Sequence, residues 1–232
     1  MAELPQTPRL AERLRSETRD LHTEVERSLF MHTLLRGELS LAAYCLLLRN
    51  LHAIYAALEA ALAQHATNTS LAPVSIPALF RSDALVQDLN HLYGATWAGT
   101  VVLQEATDLY VARLQQLQAT DPALLVAHAY VRYLGDLSGG QLLKRIVAKN
   151  LQIPHGLGTA FYDFGDADTT QGLIRDFRAG LENISGSEAR IDAIVAEAKH
   201  AFELHRTLFQ QLALAAGLAQ ADTGHLSKRQ AR

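Results

Sequence analysis

The sequence predicts an all-α, single-domain protein organised around one helix with a weakened middle, and three observations carry that reading. Apolar residues recur at spacings of three and four along most of the chain, no strand-rich stretch or internal repeat interrupts them, and 232 residues suit a single hydrophobic core. The hydrophobic fraction of 49% is ordinary for a globular protein, and a net charge of −3 gives no support to a nucleic-acid partner. The single cysteine, Cys45, sits in the apolar run AAYCLLL and has no internal disulfide partner, which fits a buried, reduced thiol. The opening MAELPQTPRL lacks the apolar core of a signal peptide, and no stretch is expected to reach the length of a bilayer span. A soluble, cytoplasmic protein without a membrane anchor is the expectation.

In chain order, residues 9–29 place Leu10, Leu14, Leu21, Val25 and Leu29 on one stripe of an amphipathic helix. A second line on that helix, Arg15, Arg19, His22 and Glu26, runs at spacings of four, three and four, so the four side chains share a narrow sector. An imidazole there could ligate a metal while the guanidinium groups meet carboxylates on a ligand's rim; the plainer alternative is a solvated charged face. Residues 40–66, capped by Ser40, form a largely buried helix through Leu41, Tyr44, Leu47, Leu51, Ile54, Leu58 and Leu62, on which Tyr55 reads as core and His52 and His65 as structural or exposed. The run TNTSLAPVSIP at 67–77 marks a loop. Helices follow at 79–92 and 104–119, the second packing through Leu103, Leu109, Val111, Leu114 and Leu117, with Trp97 as core between them.

The central stretch, HAYVRYLGDLSGGQLLKR at 128–145, is helical by the spacing of Leu134, Leu137, Leu142, Ile146 and Val147, and Thr120-Asp121-Pro122 supplies a cap and a first-turn proline. Within it Gly135, Gly139 and Gly140 each cost about 1 kcal/mol relative to alanine. A kink or close helix crossing would explain them, and so would a broad, flat ligand lying too near for any side chain. Asp136 precedes Gly139 and Gly140 by three and four residues and overhangs the same bare face, which suits organised water and proton delivery. Residues 151–168, with Pro154, glycines, Phe161, Tyr162 and Phe164, read as a loop packing back on the domain. Helices at 169–183 and 187–217 complete a domain over 1–217; the second starts near Ser187, stops near Gly217 and aligns Phe202, His205 and Phe209. Residues 218–232, ending HLSKRQAR, read as a flexible polar tail.

The run AHAYVRYLGDLSGGQLLK resembles the distal-helix signature of the biliverdin-forming heme oxygenases, and LHTEVE, LHAIYAALE, APVSIPALF, QDLNHLYG, GTAFYDF and EAKHAFELH extend the match across nearly the whole chain. The resemblance implies heme b sandwiched between a proximal helix and a glycine-kinked distal helix, serving as both cofactor and substrate. It implies His22 as the axial iron ligand, with Glu26 on its other nitrogen, and Arg15, Arg19, Tyr130 and Arg178 as propionate contacts. Gly135, Gly139 and Asp136 then belong to the catalytic face with Tyr55 and Arg132, while Ser138, Gly140, Phe202, His205 and Phe209 line the pocket. Two positions depart from the family pattern: His205 stands where asparagine is common, leaving a hydrogen bond near the cofactor or a second iron ligand open, and Ile174 stands where some relatives have lysine. The implied reaction is oxygen-dependent opening of heme at a meso carbon, α by expectation, to biliverdin, ferrous iron and carbon monoxide. The expected electron donor is ferredoxin or a flavoprotein reductase, docked in part by Lys144, Arg145 and Lys149, and a bilin-using photoreceptor or biliverdin reductase could lie downstream.

Two other classes compete. A heme carrier or sensor would use the same pocket without turnover. A helical di-iron oxygenase would need paired Glu-x-x-His motifs, of which Glu197-Ala-Lys-His200 is the single match. The absence of Cys-x-x-Cys-His, of a P-loop and of a dinucleotide-binding glycine motif argues against covalent heme and against a built-in nicotinamide site.

Overall fold

A computed structural model describes residues 9–154 and 157–218. Among these, eleven α-helices run in the order α1 (Leu10–Glu17), α2 (Arg19–Glu26), α3 (Leu29–Leu35), α4 (Leu41–Gln64), α5 (Ser82–Leu92), α6 (Trp97–Thr100), α7 (Glu105–Thr120), α8 (Leu125–Ala129), α9 (Gly135–Asn150), α10 (Ala167–Glu182) and α11 (Glu188–Ala215). A π turn at Tyr130–Leu134 joins α8 to α9. The domain is all-α as expected; the tail expected from 218 lies, from residue 219 on, outside the described residues.

The helix expected over 9–29 is three helices. Thr18, buried, turns its hydroxyl back onto the Leu14 carbonyl at 2.6 Å, and such back-bonding competes with the backbone ladder and bends the chain, so α1 gives way to α2 there. Ser28 accepts from the Met31 N–H and starts α3, which leaves Leu29 exposed instead of completing the apolar stripe. On α7 the buried face is Ala106, Tyr110, Leu114 and Leu117, and Leu109 points to solvent. Ser40 and Ser187 cap α4 and α11 as expected, and Asp166 caps α10.

Helix α4 is the hub, packed along α5 and α7 and touching α8 and α11. It is long and apolar enough by composition to cross a membrane, contrary to the sequence expectation that no stretch is, but it is the core helix of this domain, with Tyr44, Leu48, Ile54, Tyr55, Leu58 and Leu62 fully buried. Two polar residues interrupt its apolar surface, and each satisfies the start of a neighbouring helix. Buried Asn50 accepts from the Gln104 N–H at 2.8 Å and the Thr107 hydroxyl at 2.6 Å, at the start of α7. Buried Glu59 accepts from the Arg81 and Ser82 backbone N–H groups at the start of α5. Helix N-termini carry orphan donors and partial positive charge, so these polar residues lock three helices together.

Residues 158–164 fold back on the domain because buried Asp88 accepts from the N–H groups of Ala160 at 2.7 Å and Phe161 at 2.8 Å. That fixes the short 3-10 turn Ala160–Tyr162 against α9, where Gly140 meets the Tyr162 backbone: a Cβ there would lie 3.5 Å from its carbonyl oxygen. Gly140, expected to line the pocket, instead faces this turn, at a distance that is ordinary van der Waals contact. Gly180 on α10 is tighter still, with the Pro73 carbonyl filling the space of any side chain.

A second buried cluster joins α7, α8 and α11. Glu197 accepts from Arg113 and from His128 Nε2 at 2.9 Å, while His128 Nδ1 faces the Tyr110 hydroxyl at 3.2 Å. Burial pushes the Glu197 carboxyl up, but the donors on His128 and Arg113 outweigh it and bring its pKa to about 2; burial lowers that of His128, which stays neutral. Glu197 is thus a structural anchor and not half of a di-iron motif, and His200 stands exposed beside Glu203.

Two outcomes follow from this packing. Gly180→Ala overpacks the α10 contact and should destabilise the protein by about 1–3 kcal/mol in urea unfolding. Because the folded pKa of Glu197 lies below its ordinary value of 4.5, its stabilisation is present above about pH 4.5 and is lost as pH falls toward 2. Unfolding free energies measured across that window should fall less steeply in Glu197→Gln.

Candidate active site

A cleft opens between α2 on one side and the π turn with α9 on the other, closed at the back by α11 and α4. Its inner part, a cavity of about 1000 Å³, is walled by Leu34, Leu47, Leu51, Phe161, Phe202 and Phe209 among others. The outer part, about 1930 Å³, carries Arg15, Arg19, Tyr130, Ser138 and Arg178. His22, Glu26, Val131, Gly135, Gly139 and Phe202 border both, so the two parts are one continuous slot. A mostly apolar slot with a few placed polar groups is the usual form of a small-molecule site.

From α2, His22 faces the slot with its ring edge-on to Phe202 at 5.9 Å. Its Nδ1 lies 3.6 Å from the Glu26 carboxylate one turn on, which leaves Nε2 as the nitrogen open to a ligand. The opposite wall repeats at helical spacing: Val131 and Arg132, Gly135 and Asp136, then Gly139, then Leu142 and Leu143. A Cβ on Gly135 or Gly139 would meet nothing within 4 Å. Among the described residues no neighbour requires these two glycines, in contrast to Gly180. A π turn, Tyr130–Leu134, directly precedes Gly135, and both glycines follow it in α-helix.

Asp136 does not simply overhang the slot. Its carboxylate accepts from the Tyr55 hydroxyl and from Arg132 Nη2 at 3.2 Å, and Arg132 also donates from Nε and Nη2 to the Tyr55 oxygen at 2.9 and 2.8 Å. Arg132 Nη1 meets Nε2 of His205, reached from α11. Burial raises the Asp136 pKa, opposed by the Arg132 charge and the Tyr55 hydroxyl. A carboxyl so displaced, at the wall of a cavity, is suited to holding and passing a proton. Burial and the neighbouring Arg132 charge hold His205 well below the ordinary histidine range, so it is neutral.

On the rim, none of the guanidinium groups of Arg15, Arg19 and Arg178 donates to a carboxylate among the described residues, although Glu12 and Glu182 stand nearby. Three free guanidinium groups at one end of an apolar slot suit an anionic edge on the ligand. Lys144, expected to help dock an electron donor, is paired with Asp163 at 2.5 Å. Sequence reasoning missed the contribution of α3 and of Leu47, Leu51, Phe161 and Tyr162 to the walls; Ser28 before LFMHTLL was the available signal for α3. Among the described residues no group of three or more His, Cys, Asp or Glu could hold a metal ion, so the donor set for a di-iron centre is not assembled there.

The heme oxygenase family model matches residues 8–211. Heme oxygenase 2 of Synechocystis sp. is 42% identical over 207 residues, covering 88% of this chain and 82% of that protein. Among solved structures, heme oxygenase-2 from Synechocystis sp. in complex with heme and NO superposes with a TM-score of 0.89 at 38% identity, over 97% of this chain and 94% of that one. Heme oxygenase-1 from the same cyanobacterium in complex with heme gives 0.86 at 35% identity, over 95% and 99%.

The open space above Gly139 has a measurable signature. Gly139→Ala adds a methyl group that meets no neighbour, so it should raise stability by up to about 1 kcal/mol through helix propensity, with urea unfolding as the check, while narrowing the slot.

Proposed function

The chain belongs to the heme oxygenase family, and from that premise we propose how its own residues bind heme and direct the oxygen-dependent cleavage of that substrate to biliverdin, ferrous iron and carbon monoxide. One observation carries the assignment of roles: a part-buried carboxyl, Asp136, held by Tyr55 and Arg132, borders the same slot as His22, beside two glycines that no described neighbour requires. Bound there, heme supplies both the redox-active iron that activates dioxygen and the porphyrin ring that is opened.

The protein's part is binding, exclusion of water and proton placement. His22 would hold the iron through Nε2, with Glu26 beside Nδ1 to orient the imidazole. Arg15, Arg19 and Arg178, with Tyr130 and Ser138, hold the propionate edge at the open end, and the arginines need no rearrangement to do so. Leu34, Leu47, Leu51, Phe202 and Phe209 enclose the apolar remainder. Gly135 and Gly139 let the ring lie close to the helix, and Asp136 delivers protons from that side, either directly or through water. A carrier or sensor would need the axial imidazole and the apolar walls; it has no use for a proton-holding carboxyl fixed at the closed end.

Electrons come from a separate protein, a ferredoxin or a flavoprotein reductase, and exposed Arg145 and Lys149 are the remaining basic candidates for docking it, since Lys144 is engaged with Asp163. His22→Ala should abolish tight axial ligation of hemin, seen as loss of the histidine-ligated absorption spectrum. Asp136→Ala should still bind hemin, with bilin formation reduced about 100-fold or more. A normal bilin yield from Asp136→Ala would end the proton-delivery role.

A further inference from the structure

The Arg132 guanidinium is planar, carries five donors and cannot accept a hydrogen bond. One edge serves Tyr55 and Asp136 through Nε and Nη2; the other, through Nη1, meets Nε2 of His205. His205 Nε2 must therefore be the unprotonated nitrogen, acting as an acceptor. The imidazole is also braced: its ring stands edge-on to Tyr110 at 5.4 Å and to Phe209 at 5.6 Å, and Tyr110 is itself tied to His128 and so to Glu197. The lone pair that could have made His205 a second iron ligand faces Arg132 instead.

We propose that His205 is a positioning residue: it holds the outer edge of the Arg132 guanidinium, and so keeps Arg132 from closing fully onto Asp136. The argument rests on geometry. Arginine and a carboxylate favour a two-point, fork-to-fork pairing when both are free to form it. Here Asp136 receives one arginine hydrogen bond, at 3.2 Å, because Tyr55 occupies one side of the guanidinium and His205 the other. Remove the acceptor at 205, and a buried N–H is left without a partner, while Asp136, already bonded to Nη2, can take it. The guanidinium would then swing onto the carboxylate and withdraw it from the slot. Bracing by Tyr110 makes His205 the fixed point of this arrangement and Arg132 the part that transmits it.

This inference rests on the heme-cleaving reading of the slot, and its test separates the two. The variants are His205→Leu, similar in bulk without an acceptor, and His205→Asn, whose amide oxygen can still accept from Nη1. The first readout is the NMR exchange rate of the Arg132 Nε–H in protein without heme; the second is bilin formation alongside hemin affinity. His205→Leu should speed that exchange about tenfold and lower bilin formation about 10–100-fold, with hemin affinity within about twofold of the parent, as for other groups that orient a reacting residue. His205→Asn should restore both readouts. Unchanged Arg132 exchange in His205→Leu, or equal impairment in His205→Asn, would overturn the proposal. If His205→Leu does not fold, His205→Ala set against His205→Asn gives the same contrast. Should the parent protein make no bilin, the functional reading fails while the exchange comparison still decides the positioning role.

Discussion

The arrangement depends on a buried cation. Arg132 is 8% exposed, and a guanidinium taken from water to such a place costs several kcal/mol unless each edge finds a partner. Its partners come from three helices: Tyr55 from α4, Asp136 from α9 and His205 from α11. Those helices meet at the closed end of the slot. Polar residues that prepare a proton-bearing group for chemistry are thus also what holds the hub helix, the distal wall and the long C-terminal helix in register.

The same division between fold and function runs through the glycines. Gly180 sits where the backbone of another segment fills the side-chain space, and packing accounts for it fully. Gly135 and Gly139 face a cavity, and in a helix interior each sacrifices about 1 kcal/mol with no neighbour to justify it. A ligand pressed against the backbone supplies the missing reason. Polar groups show the same contrast: Asn50, Glu59, Asp88 and Glu197 are satisfied by helix starts, loop amides or buried side chains, whereas the arginines on the rim donate to no carboxylate among the described residues.

Much of this was legible in the sequence, for reasons that can be named. Helical spacing alone put His22 with Arg15, Arg19 and Glu26, and Phe202 with His205 and Phe209, because side chains three and four apart share a face wherever the helix is regular. It failed where regularity failed. A single hydroxyl, on Thr18, split the first helix, and spacing cannot register a side chain bonding to its own backbone. The π turn at Tyr130–Leu134 was not foreseen, since glycines are visible in a sequence and a widened turn is not. Tyr55, the partner of Asp136 from another helix, lies 81 residues away, and His205, the partner of Arg132, lies 73 away, and no local pattern brings them together. Likewise, Glu197-x-x-His200 had metal-ligand spacing, but Arg113 and His128 approach from other helices and occupy the carboxylate.

The most direct test of the account is a single-turnover measurement on the unaltered protein: one equivalent of hemin, a ferredoxin reducing system, air, and simultaneous recording of the heme spectrum, the bilin band and trapped carbon monoxide. A site built as described should bind the hemin and consume it, releasing one carbon monoxide for each biliverdin formed. A heme spectrum that persists through electron supply, with neither bilin nor carbon monoxide, would mean that the slot holds heme without cutting it and that Asp136 serves another purpose.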